Sequence, residues 1–225
     1  MALPCFTYQH AGLRVEIVYD ERTGSPRDMD PIGTVIGWGS DLKLGERQID
    51  LECTSREAIV ADLRRDGAKV ILPLYYSSHG PQCRLDIGET LDGDALKSSS
   101  GVVYVTAEKL RIEFAVKRIT AAVLDKAKRL LALEISEYSH YLTGAVYGYV
   151  IRDRQRDELA SDHGFYGLDS CESEANSSAE DCAIQEEAER AEAHPMACRG
   201  IQTIRASRRS AAATSMILGV AHAIQ

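Results

Sequence analysis

The chain has 225 residues, 44% apolar and 27% charged, with a formal charge of −8. That composition is ordinary for a water-soluble globular protein and supplies enough apolar surface for a core without metals or disulfides. The acidic balance argues against non-specific affinity for nucleic acid, which depends on Lys and Arg neutralising phosphates.

The weakly polar run at residues 211–224 is about 14 residues long and includes Thr214, Ser215 and His222, against the ~20 needed to span a bilayer. No signal-peptide pattern is read over residues 1–8. Cys5, Cys53, Cys83, Cys171, Cys182 and Cys198 are therefore expected as reduced thiols in a cytosol.

Along the chain, Leu13–Tyr19 alternates apolar and polar residues and predicts a half-buried strand. Residues 20–31 are dense in Asp, Gly, Ser and Pro and predict a loop, followed by a short strand at Thr34–Trp38. Thr54 with Glu57 has capping-box spacing and opens a helix with Ile59, Val60 and Leu63 on its apolar face, ending at Gly67. Residues 68–76 predict an apolar strand, with Pro73 placing it at a sheet edge or at a bulge. Gln82–Ile87 is expected to pair with it across a turn at residues 77–81, and residues 91–101 read as polar and flexible.

The strongest pattern spans residues 101–152. Gly101–Thr106 predicts a strand, Thr106 caps a first helical piece, and Thr120 caps a long helix. Its apolar positions Val123, Leu124, Ala127, Leu131, Ile135, Tyr138 and Leu142 recur every three or four residues. Gly144 supplies the positive φ that stops it, and residues 145–151 predict another strand. The fold class expected is α+β: a mixed or antiparallel sheet packed against the long amphipathic helix plus one or two shorter helices. Residues 1–168 are expected as one domain. Residues 169–192 hold nine acidic residues and one Arg, and residues 193–225 four Arg and no acid. The whole of 169–225 is read as an acidic then basic tail, partly helical or disordered, that adds little to the fold.

No Walker loop, HExxH or CxxC occurs. Ser77, Ser78 and His79 sit at the end of a predicted strand, but neighbours in sequence do not build a nucleophile–base pair, and a turn accounts for them. Residues 161–167 place Phe165 and Tyr166 between two glycines, a bend that either caps the core or presents aromatic anchors to a partner. Cys171, Cys182, His194 and Cys198 are zinc-type residues, but their intervals lack the close Cys pair of a finger, so no metal or cofactor is expected. The candidate binding residues are Phe165, Tyr166, His79, Arg27 and Trp38.

Five strings carry a resemblance: Tyr19-Asp-Glu-Arg-Thr-Gly-Ser-Pro-Arg27 with Ile32-Gly-Thr34; Ile71-Leu-Pro-Leu-Tyr75; Tyr104-Val-Thr-Ala-Glu-Lys109; Leu142-Thr-Gly-Ala-Val-Tyr-Gly-Tyr149; and Gly164-Phe-Tyr-Gly167. Over residues 13–168 the chain resembles an uncharacterised family of small proteins encoded in bacteriophage and prophage genomes. It departs from that family at Met29-Asp30, where an aromatic residue usually precedes the Asp, and at Asp162-His163, where a Cys-Trp pair is usual. The resemblance implies a mobile-element origin and no particular activity. The function expected is an accessory protein that binds another macromolecule, most simply a protein, without catalysis. A small metal- or His-dependent hydrolase or nucleotide-processing enzyme, and a virion component, are the alternatives.

Overall fold

A computed structural model describes residues 4–38, 43–79 and 82–193. Among these residues the chain forms five α-helices and two sheets, an α+β fold. Strands β1 (Pro4–His10) and β2 (Leu13–Tyr19) form a hairpin. Its two-residue turn, Ala11 and Gly12, has positive φ at both positions, the twist-matched geometry for such a loop. With β8 (Val146–Arg152) and β9 (Glu158–Tyr166) they make a four-stranded antiparallel sheet in the order β1-β2-β8-β9.

The second sheet has the order β4-β3-β7-β5-β6, from β3 (Thr34–Trp38), β4 (Arg47–Ile49), β5 (Ala68–His79), β6 (Gln82–Ile87) and β7 (Gly101–Thr106). Only the β3–β4 pair is parallel, so this sheet is mixed. One face packs on α3 (Ala107–Glu113) and α4 (Ala121–Leu142), where Leu110, Ala127, Leu131 and Ile135 meet Val35, Leu72, Leu74 and Val103. The opposite face is covered by α1 (Arg56–Arg65) and α2 (Gly93–Ser98), through Ile59, Val60, Leu63 and Leu96. The sheet is thus covered on both faces.

Thr106 and Thr120 cap α3 and α4 by accepting the amides of Lys109 and Val123, and Gly144 follows α4 with φ +69. Other local expectations shift. Ser55 rather than Thr54 is the α1 cap, accepting the Ala58 amide. Pro73 is not at a bulge, since the β5 irregularity falls between Ala68 and Val70, but it does lie at a local edge, because β6 pairs with β5 only from Leu74 onward. The Pro73 carbonyl accepts the Gly88 amide, just past the end of the β6 ladder, so the missing proline donor faces the point where no strand partner requires it. Ser77, Ser78 and His79 continue β5 and pair with Arg84, Cys83 and Gln82 instead of turning. Residues expected to be flexible form α2, capped by Asp92.

The largest difference is in residues 168–193. They form α5 (Leu168–Ala193), which lies across one face of the four-stranded sheet. Cys171, Ala175 and Ala179 are fully buried there against Val15, Ile17, Tyr149 and Ile151. This acidic segment therefore closes a second core. Residues 194–225 lie outside the described residues. On the other face of this sheet Glu16 bridges Arg14 at 2.8 Å and Arg152 at 3.2 Å.

Candidate functional site

Helix α4 is held on one flank and leaves a groove on the other. On the held flank, Glu134 accepts the amides of Ile32 at 2.6 Å and Gly33 at 3.0 Å. Gly33 is required there, because a Cβ would collide with Leu131 and Val103. The Arg27 guanidinium, only 5% exposed, lies 3.7 Å from Glu134. It donates through Nε to Glu46 at 2.9 Å and also to the Gly33 carbonyl. It sits 5.9 Å from the centre of the Tyr138 ring, whose hydroxyl accepts the Gly45 amide at 3.0 Å. Glu46 in turn accepts the Val35 amide, and Lys109 donates to the Pro31 carbonyl.

Burial pushes the Glu134 carboxyl above its ordinary value, outweighing the two amides and the charges of Arg27 and Lys109. The loop between β2 and β3 is fastened at its other end too. The Tyr166 hydroxyl donates to the Gly24 carbonyl at 2.8 Å, and Thr23 donates to Asp20. Burial raises the Asp20 carboxyl, but the Thr23 hydroxyl, the amides of Arg22 and Thr23 and the nearby His163 bring it below its usual range. Thus Ser25–Arg27, which opens the 3-10 turn Pro26–Asp28, fixes α4 to the five-stranded sheet.

The free flank of α4 faces β6, the edge strand of that sheet. Between them runs a cleft of about 920 Å³, lined by Cys83, Leu85 and Ile87 on one side and by Ala132, Ser136, Ser139 and His140 on the other. At one end stand Tyr19 and Tyr147, paired across β2 and β8 with ring centres 5.2 Å apart. Tyr19 is 55% exposed, and burial followed by the neighbouring Tyr19 raises the Tyr147 phenol. At the other end a hollow of about 430 Å³ continues it, sharing Ile87 and Ala132 and adding Leu72, Gly88, Glu89, Thr90, Lys128 and Arg129. Measured along α4 from Lys128 to Thr143, the groove is about 22 Å long at 1.5 Å per residue, room for about seven extended residues at ~3.3 Å each.

The groove floor is finished by one side chain. Ser139 Oγ accepts the Leu85 amide at 2.9 Å, so the helix satisfies the donor at the middle of the edge strand. A strand cannot simply zip onto β6, and recognition falls to side chains. The groove holds a thiol, hydroxyls and an imidazole. Yet among the described residues no hydrogen bond joins Cys83, Ser136 or Ser139 to the His140 ring, which instead abuts Gly167. Gly167 has φ +93, and a Cβ there would lie 2.9 Å from His140 Nε2. No group of three His, Cys, Asp or Glu able to hold a metal occurs among the described residues.

The sequence-derived candidates fall elsewhere. Phe165 is half-buried in β9, its ring 5.7 Å from that of Tyr149, and Tyr166 holds the Gly24 loop. Residues 161–166 are strand rather than loop, so Asp162 and His163 alternate across the sheet instead of converging. Trp38 is buried, its indole donating to the Ser99 carbonyl at 2.7 Å, with Arg56 5.9 Å from its ring centre. Arg27 is spent on Glu46 and Gly33 as above. His79 ends β5, and its side chain lies outside the described residues. Cys171 faces the sheet, and His194 and Cys198 lie outside the described residues. The groove residues gave no sequence signal beyond the adjacent cations Lys128-Arg129, because β6 and α4 meet only through the fold.

No protein-family model, curated protein or solved structure matches the chain.

Proposed function

We propose that this protein is a non-enzymatic accessory protein of a phage or related mobile element, and that it binds a partner protein by taking an extended segment of it into the β6–α4 groove. The observation that carries the reading is the groove itself: two adjoining hollows that share Ile87 and Ala132 and reach from the Tyr19–Tyr147 pair to Lys128–Arg129, open to solvent and mixed in polarity. Its length suits a short peptide better than a compact small molecule. Support also comes from the rigid seating of α4 by Glu134 and Tyr138, which preorganises one wall and lowers the ordering cost of binding. The fully hydrogen-bonded Leu85 amide protects the edge from indiscriminate strand pairing. The mobile-element origin rests on the resemblance of the loop and glycine-rich strings, and neighbouring phage genes around the coding sequence would test it.

The test of the binding mode is selection of random octapeptides displayed on phage against the full-length chain and against Ala132→Phe, which narrows the groove where its two hollows meet. A consensus enriched by the wild type and lost by Ala132→Phe supports the reading. No enrichment, or equal enrichment by both proteins, contradicts it. Turnover of a small molecule by the purified chain, abolished by His140→Ala or His163→Ala, would instead favour an enzyme.

A further inference from the structure

Resting on the groove reading, we infer that the segment bound is acidic at one end, with a carboxylate beside an apolar side chain that enters the hollow under Lys128 and Arg129. The hollow has an apolar base from Leu72, Ile87 and Ala132. Its mouth carries two exposed cations, Lys128 and Arg129, and neither makes an ion pair among the described residues. Glu89 is the opposing charge at the rim, so the mouth is net positive. Most other cations that line the clefts or the sheet faces are already committed: Arg84 to Asp86 at 2.6 Å, Arg152 to Glu16, and Arg27 to Glu46.

The surroundings do not cancel the sign. On the preceding turn the exposed Asp125 and Lys126 offset each other, and the first turn of α4 contains no acid to offset its positive end. A chain that is acidic overall repels acidic partners at long range. A local cationic mouth on an apolar hollow therefore selects rather than merely attracts. The opposite end offers only the uncharged Tyr19 and Tyr147 with His140 and Thr143, which suit an apolar or aromatic residue. The segment is thus polarised, its carboxylate at the α4 N-terminal end and its ring-bearing or aliphatic residue at the tyrosines.

The octapeptide selection tests this when repeated with Lys128→Glu/Arg129→Glu, exposed positions whose reversal leaves the core intact. Wild type is expected to enrich Asp or Glu at one end of the consensus, next to an apolar residue. The charge-reversed protein is expected to replace that acid by Lys or Arg and to bind the wild-type peptide on the order of tenfold more weakly, as two partly exposed ion pairs are lost. A consensus lost by Ala132→Phe but without acidic preference overturns this inference and leaves the groove reading standing. No Ala132→Phe-sensitive consensus at all overturns both.

Discussion

Replacing Glu134 by Ala should be among the most costly single changes in the molecule. The carboxylate is the acceptor for two amides, Ile32 and Gly33, and faces the almost fully buried Arg27 guanidinium. Removing it leaves two half-buried donors without an acceptor, about 1 kcal/mol each at this depth. It also strips one of two counter-charges from a buried cation, about another 1–2 kcal/mol. The sum is about 3–4 kcal/mol. Urea unfolding followed by fluorescence reads it cleanly, because the only tryptophan, Trp38, is buried in the five-stranded sheet. The midpoint should fall by about 1–2 M with little change in slope. Glu134→Gln, which keeps one carbonyl oxygen, should cost about half as much. Arg27→Met combined with Glu134→Ala should cost less than the sum of the two, since neither variant then leaves the other charge unpaired. A Glu134→Ala protein within about 0.5 kcal/mol of wild type would show that the cluster does not seat α4.

The same group sets a pH dependence. Its folded carboxyl sits above its ordinary value, so the folded state takes up the proton first. The pH-dependent part of its contribution is fully present below the usual carboxylate range and is lost as pH rises through the folded value; the penalty of Glu134→Gln should therefore be largest in acid and shrink toward neutrality, measured by urea midpoints across pH. Gly167→Ala should destabilise by roughly 1–2 kcal/mol, the cost of a left-handed non-glycine residue, and should shift the His140 ring resonances, because its Cβ meets that ring. Cys171 is buried and its thiol is pushed up to about 12, chiefly by burial. A thiol reagent at mild alkaline pH should modify the exposed Cys5 and Cys53 quickly and Cys171 only with global unfolding. Ala175→Asp places a charge between α5 and the four-stranded sheet and should abolish that packing, seen as lost dispersion in methyl spectra; an unchanged spectrum would show that α5 is a dispensable tail.

The parts of the fold legible in the sequence are those where one signal suffices. The alternation in Leu13–Tyr19, the caps Thr106 and Thr120, and the Leu131–Ile135–Tyr138 stripe each mark an element whose buried face is made of large apolar residues. Helix α5 escaped because its buried stripe is Cys171, Ala175 and Ala179, small residues that let the helix lie close to the sheet but barely register as hydrophobic among nine acids. Strand β9 escaped because most of its residues are exposed at a sheet edge and polar. Pro73 marks the stretch of β5 beyond the end of β6, where its donorless nitrogen meets no strand.

The candidate site was the least legible part. Phe165, Tyr166, Trp38 and Arg27 are conspicuous in the sequence as residues of short loops or strand ends, yet each of them makes contacts within the protein, closing a loop or filling a core. The groove instead comes from a contact between Leu85 and Ser139, 54 residues apart, with small residues on its helical wall. Neither strand nor helix carries a local mark of it, since its shape exists only once the two are brought together.

Backbone amide shift mapping of the full-length chain with the best selected octapeptide is the most direct measurement. Perturbations concentrated at residues 83–90 and 128–143, with Tyr19 and Tyr147 at one end, are predicted. Perturbations confined to α5 or to the face of the four-stranded sheet away from α5 would contradict the account.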